Sequence, residues 1–268
     1  MDVKLKNQLV YKEAQEYLMN IKPPDIDDLN KYFVGDRKDF TTLQDVYEQI
    51  IHSAQNYQRM PNVIKFNERQ DKIKEILYFY DFDKIKDYKI DELYYKFRAA
   101  FDVTSEDSKH NSWRKWSKSI ITAANFMNDF KSIDDFRNFV DLFKYNLPTR
   151  MALPLLMQTK INGMGFALAC DCLKELGYLD YPKPDVHLID VFVTLDLSEK
   201  EPINVFEAIV RMAEYCKEID EEVTPYKIDK IIWLICSGRF YLDDISIGRH
   251  KEEFIESTRN KIKISELC

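Results

Sequence analysis

The sequence is poor in glycine, nearly devoid of strand-like alternation, and without any long apolar run. Only six glycines occur in 268 residues, so a pair of them close together asks for a specific backbone explanation. No stretch approaches the roughly 20 apolar residues that a bilayer-spanning helix needs. Met1 to Asn7 carries charge, but no apolar segment follows; no signal peptide is expected, and the location read from this is cytoplasmic. The five cysteines, Cys170, Cys172, Cys216, Cys236 and Cys268, are scattered and odd in number. They give no sign of a disulfide framework, and no Cys-x-x-Cys pair exists. Cys170 and Cys172 stand two apart in a helical pattern, so they point to different faces. They read as reduced core residues, and no metal site is expected. Positive charge is outnumbered, with 39 Lys and Arg against 46 Asp and Glu. The net charge is −7, which counts against a nucleic-acid partner unless the basic residues gather on one face.

What is present is helix. Hydrophobic residues make up 45% and charged residues 32%, enough apolar material for the core of one large domain or two small lobes. Thr41 to Tyr57 is a clean case, with Leu43, Val46, Tyr47, Ile50, Ile51 and Ala54 at helical spacing. Thr41 and Gln44 resemble a capping box. Further helices are predicted near 5–20, 68–80, 91–101, 113–130, 133–143, 150–160, 166–176, 188–195, 202–219 and 226–237. Breaks fall at Pro23-Pro24, Asn62, 102–111, Leu147-Pro148, 163–165, 177–184 and Ser237-Gly238. The predicted fold is all-α, with ten or more helices and no internal repeat.

One segment, Arg150 to Leu176, reads as a helix, a tight turn Ile161-Asn-Gly163-Met-Gly165, and a second helix from Phe166 that Gly177 stops. Two glycines let such a turn take positive φ and come close to a partner. The first amides of the second helix can then receive a phosphate. This is the logic of a helix-hairpin-helix, which grips a DNA strand without reading its sequence. An ordinary αα-hairpin with a glycine-rich turn satisfies the same residues, and the turn alone does not make an enzyme.

Twenty residues past Gly165 comes Pro184-Asp185-Val-His187, between a proline-rich loop and an apolar helix. With the Gly163-Met-Gly165 turn, it resembles the signature of the helix-hairpin-helix (HhH-GPD) DNA glycosylase superfamily. That group includes endonuclease III, 8-oxoguanine and 3-methyladenine glycosylases. Its hairpin is followed by an essential Asp, often in Val-Asp-x-His; Pro184 replaces the usual Val. Ile50-Ile-His-Ser-Ala-Gln55 resembles the Leu-Ser-Ala-Gln segment of endonuclease III-like members, and 111–120 faintly echoes a helix before the hairpin. The resemblance spans roughly residues 40–195. It implies two helical lobes, one at 40–184 containing the helix-hairpin-helix (150–176), the other combining 1–39 with 185–268.

The resemblance also implies roles. Breaking an N-glycosidic bond builds positive charge on the sugar, and a carboxylate can stabilise it or orient the attacking water. Asp185 is the expected catalytic group, with a plain helix N-cap as its structural alternative. The nucleotide must leave the stack, and Gln55, with Asn56, Tyr57 and Arg59, is expected to fill the gap. Gly163, Gly165 and Lys160 are expected to contact DNA; His187 is expected to contact a DNA phosphate or support the site, with a structural histidine as the alternative. Bifunctional members carry a nucleophilic Lys two residues after the second hairpin glycine, where this chain has Ala167. A methyl group cannot attack a sugar, so a monofunctional, hydrolytic enzyme is expected; Lys160 and Lys183 are the lysines nearest in sequence. Asp171, one helical turn beyond Ala167, is an expected base-pocket residue, or else a solvated or capping carboxylate. Trp113 and Trp116, among Arg114, Lys115 and Lys118, are expected to stack on the base or to pack in the core. The family's four-cysteine iron–sulfur loop is absent, and hairpin carbonyls offer a place for a monovalent cation.

The expected function is therefore excision of a damaged or modified base from double-stranded DNA, in base excision repair, by a monomer without cofactor. The alternatives are a non-catalytic helix-hairpin-helix DNA-binding protein, a glycosylase/lyase with a displaced lysine, and removal of hypermodified phage bases. The residues do not name the base.

Overall fold

The computed structural model describes residues 1–34 and 40–267. After α1 (Val3–Ile21) come α2 (Leu43–Ala54), α3 (Met60–Ile64), α4 (Gln70–Ile76), α5 (Phe82–Ile85), α6 (Ile90–Ala100) and α7 (Ser112–Met127). Then follow α8 (Ile133–Leu142), α9 (Leu147–Lys160), α10 (Phe166–Glu175), α11 (Val186–Thr194), α12 (Pro202–Cys216), α13 (Pro225–Ser237) and α14 (Lys251–Leu267). Two-residue strands β1 (Arg239–Phe240) and β2 (Ile245–Ser246) pair antiparallel, Arg239 opposite Ser246. The protein is thus all-α in the main. No helix among the described residues is long and apolar enough to cross a membrane.

The chain forms two compact units. Of the described residues, 1–34 and 177–267 make the first and 40–176 the second. The expected boundary at 39–40 lies outside the described residues. The other, expected at 184–185, falls instead at 176–177. Two hydrogen bonds explain the shift: Tyr226 N–H donates to Leu179 O at 3.1 Å and Lys183 N–H to Asp229 Oδ2 at 2.8 Å. They tie the loop 177–184 to α13.

In the second unit, α2 begins one residue later than the sequence suggested. Thr42, not Thr41, is the N-cap, and Asp45 closes the box: its Oδ2 accepts Thr42 N–H at 2.8 Å while its own N–H donates to Thr42 Oγ1 at 3.2 Å. The buried face of α2 packs on α7; Tyr47 Oη donates to Ile120 O and Trp116 Nε1 to Ile51 O. The predicted helix over 68–80 ends at Ile76, and Tyr78, Phe79 and Tyr80 all take positive φ. Ile73, Leu77 and Tyr80 are nevertheless all buried, so the apolar spacing stays helical where the backbone does not. Leu147-Pro148 opens α9 rather than breaking the chain, since proline suits a first helical turn. Asn62, read as a break, lies inside α3.

In the first unit, α1 and α11–α14 enclose a core that includes Tyr11, Leu18, Phe192, Ile209, Ile232 and Phe254. Gly238 ends α13 at φ 63°, and a Cβ there would run into the Gly248 carbonyl. Sequence reading missed α14 because it buries only Phe254, Thr258 and Ile262. That stripe is one residue wide, too thin to stand out among its charges.

Candidate functional site

The hairpin belongs to the second unit. Helix α9 ends at Lys160, Ile161 is fully buried, and α10 starts at Phe166. Only one of the two glycines needs its conformational freedom. Gly163 has φ 79°, and a Cβ there would stand 2.9 Å from Ser119 Oγ. Gly165 is the N-cap of α10 at φ −77°, a value any residue can adopt. A Cβ at Gly165 would meet nothing within 4 Å. No side chain caps the first amides of α10, and a helix start of this kind can receive an anion.

Helix α7 holds the tip of this turn. Asn162 N–H donates to Thr122 Oγ1 at 2.9 Å, while the same hydroxyl donates to Lys118 O. Ser119, one turn earlier on the same face of α7, lies against Gly163. Sequence reading did not find Ser119 or Thr122. Their contacts cross about forty residues, and small hydroxyl residues in a helix carry no signal of their own.

Around the hairpin, several expected roles change. Trp113 and Trp116 are both fully buried and pack with Phe97; Trp113 also stacks on Phe101. Rings with no free face cannot stack on an extruded base, so both are core residues. Arg114 is paired with Asp91 and Asp107 and lies over the Tyr94 ring, so its charge is already matched within the protein. Lys160 is exposed at the end of α9, and Lys118 is exposed on α7. Asp171 is neither solvated nor a cap. It is buried, and its Oδ1 lies 3.1 Å from the Nζ of buried Lys174. Ala167, one turn earlier, is half-buried. A monovalent cation on the hairpin would share Ile161 O with the Met164 N–H that it accepts at 3.2 Å. Among the described residues, no group of three or more His, Cys, Asp and Glu is placed to hold a metal ion; Cys268 lies outside them.

Gln55 does not project from its helix. It is the C-cap of α2, only 4% exposed, with Nε2 donating to Asn56 Oδ1 at 2.7 Å and Oε1 buried without a hydrogen-bond partner. The residues that do reach solvent are its neighbours Asn56, Tyr57 and Arg59. Gln55, Asn56, His52, Lys65 and Asn67 line a groove of about 680 Å³.

The Asp185 loop belongs to the first unit. Asp185 is the N-cap of α11: its Oδ1 accepts His187 N–H at 2.8 Å and Leu188 N–H at 3.2 Å. Its own N–H donates to Lys183 O at 2.8 Å. The side chain is half-buried. Burial, and then the negative charge of Asp229, raise its proton affinity above the ordinary carboxylate range; the helix amide, Lys183 and His187 act in the opposite direction. His187 Nδ1 is buried without a hydrogen-bond partner. Asp229 on α13 is 2% exposed. Its one sequence signal was a carboxylate within the apolar run Ile228-Asp-Lys-Ile-Ile232.

No family model matches this sequence, and neither does any curated protein. The fold, however, is similar to a solved one: the crystal structure of Methanocaldococcus jannaschii 8-oxoguanine glycosylase/lyase in complex with a 15mer DNA containing 8-oxoguanine. The TM-score is 0.52 at 18% identity, covering 85% of this chain and 97% of that one. The chain thus shares the fold of that glycosylase/lyase structure, and in this chain the turn 161–165 joins α9 to α10.

Proposed function

We propose that this protein is a monofunctional DNA glycosylase, which binds double-stranded DNA through the α9–α10 hairpin and hydrolyses the N-glycosidic bond of a modified base with the help of Asp185. The observation that carries the reading is the carboxylate of Asp185. It is half-buried, anchored by two helix amides through one oxygen, and set in a fold matching that of a glycosylase acting on oxidised DNA. Fixing one oxygen leaves the other to face the sugar. As the C1′–N bond breaks, the carboxylate stabilises the positive charge on the sugar, or orients the water whose oxygen bonds to C1′. The base departs with the bonding electrons and is protonated.

Three further features fit this reading. The uncapped first turn of α10 accepts a backbone phosphate, with Gly165 leaving room and exposed Lys160 adding positive charge. Ala167 offers no amine for a Schiff base, which favours water as the nucleophile. Exposed Asn56, Tyr57 and Arg59, anchored by buried Gln55, suit the task of filling the vacated place in the duplex. His187 serves as a phosphate contact or as support for the loop, and Asp171, neutralised by Lys174, faces the base from beside Ala167. We place the protein as a monomer in base excision repair, with excision of hypermodified phage bases as the variant role of the same chemistry.

The test is a panel of duplexes carrying oxidised, alkylated, deaminated and hypermodified bases, incubated with the protein and then treated with alkali. Base release with strand cleavage only after alkali is expected. Binding without release on every duplex would identify a non-catalytic DNA-binding protein. A borohydride-trapped adduct would identify a lyase that uses another lysine.

A further inference from the structure

Asp229 is a carboxylate with an unusual position. It comes from α13, lies in the core of the first unit at 2% exposure, and accepts the backbone N–H of Lys183 across 46 residues of sequence. Lys183 O in turn accepts Asp185 N–H at 2.8 Å. One residue, Lys183, thus links the Asp229 carboxylate through its N–H to the Asp185 backbone through its C=O, and the Lys183–Asp185 turn hangs between α13 and the start of α11. The charge of Asp229 acts on Asp185, which a neutral amide accepting the same Lys183 N–H would not do.

We propose that Asp229 is a positioning residue for Asp185: its buried carboxylate holds the Lys183–Asp185 turn in place and brings a second negative charge to bear on the reacting carboxylate. The inference rests on the reading of Asp185 as the reacting carboxylate. The groups that face Asp185 support the electrostatic part. From α13 come Asp229, which raises its proton affinity, and Cys236, whose thiol is itself pushed up to about 12, chiefly by burial. From its own loop come Lys183 and His187, which lower it. From α14, Lys251 is paired with Asp190 of α11 at 2.6 Å, and with Glu252 it acts on Cys236. Among these, Asp229 is the group that opposes ionisation of Asp185 most strongly after burial itself. A carboxylate kept basic in this way accepts a proton from an attacking water more readily at neutral pH.

Two variants separate the two parts. Asp229→Asn keeps an oxygen to accept Lys183 N–H and removes the charge. Asp229→Leu removes both. The first readout needs no activity: the pH titration of the Asp185 carboxyl carbon, followed by NMR in the full-length protein. In D229N the midpoint is expected to fall; a midpoint that stays or rises overturns the proposal. The second is single-turnover excision on whichever duplex the panel identifies. The acid limb of the D229N rate profile should move to lower pH by the same amount, with duplex affinity unchanged. D229L should lose rate at every pH and shift the Lys183 and Asp185 amide resonances; wild-type amide resonances in D229L overturn the positioning role. If D229L does not fold, Asp229→Ala, which also removes the acceptor, takes its place for the positioning part, and D229N decides the electrostatic part. Absence of excision on all duplexes counts against the glycosylase reading alone, because the carboxyl titration stands without it.

Discussion

The backbone N–H of Asn162 donates to Thr122 Oγ1 at 2.9 Å, so the tip of the hairpin is held by a hydroxyl from a helix forty residues earlier. Thr122→Val keeps the shape and removes that acceptor. Losing one such bond costs about 1 kcal/mol, which corresponds to roughly five-fold weaker binding if the bond orders the DNA-contacting turn. Fluorescence anisotropy on a labelled duplex checks this. Thr122→Ser should restore affinity, and a valine variant that binds like wild type would remove Thr122 from the interface.

The two hairpin glycines should respond differently to alanine. Gly163→Ala forces a Cβ to positive φ and to within 2.9 Å of Ser119 Oγ. It should destabilise by about 1–3 kcal/mol. Adding Ser119→Ala should recover only the steric part of that loss, which a double-mutant cycle in thermal unfolding measures. Gly165→Ala meets no neighbour in the protein, so its melting temperature should stay close to wild type while duplex affinity falls. Equal effects of the two substitutions on stability would contradict this assignment.

Asp185→Asn should trade activity for stability. Excision should drop on the order of 100-fold or more, with DNA binding kept. Burial and Asp229 raise the folded-state pKa of Asp185 above its unfolded value. The protonated carboxyl therefore stabilises the fold at low pH, and that contribution is lost as pH rises through the folded value. At pH 7 the ionised carboxylate is a net cost, and asparagine, still able to cap α11, removes it. The melting temperature of D185N should exceed wild type at pH 7, and the gap should close in acid. A gap that widens in acid would reverse the sign.

Lys174 and Asp171 form a buried pair within α10. Lys174→Met leaves a buried carboxylate without its cation and should cost about 3–5 kcal/mol. Combining it with Asp171→Asn should recover much of that loss, as urea unfolding would show. If the single and double variants unfold alike, the pair is not coupled.

Ala167→Lys offers an amine beside the proposed pocket. If Ala167 faces the sugar, the variant should yield a borohydride-trapped adduct with DNA where the wild type gives none. No adduct in a folded, DNA-binding variant would place Ala167 elsewhere.

Much of the helical fold was legible from the sequence because α2, α6, α7 and α12 carry wide apolar stripes, which report burial wherever a helix packs. The breakdown came at elements whose pattern is narrow or misleading: α14 with its single buried stripe, and the 78–80 segment, where helical spacing of buried residues continues over a left-handed backbone. The hairpin and the Asp185 loop were also readable, since Gly163, Gly165 and Asp185 are local features whose spacing along the chain is their signal. Sequence alone thus determined which turn and which carboxylate deserve testing. It did not determine what surrounds them. The burial of Trp113 and Trp116, the inward turn of Gln55, the pairing of Asp171 with Lys174, and the hold of Thr122 on Asn162 and of Asp229 on Lys183 are tertiary facts. Helical periodicity says which face of a helix is apolar, but not which distant side chain meets it. Proton affinity and hydrogen-bond partnership depend on that meeting alone.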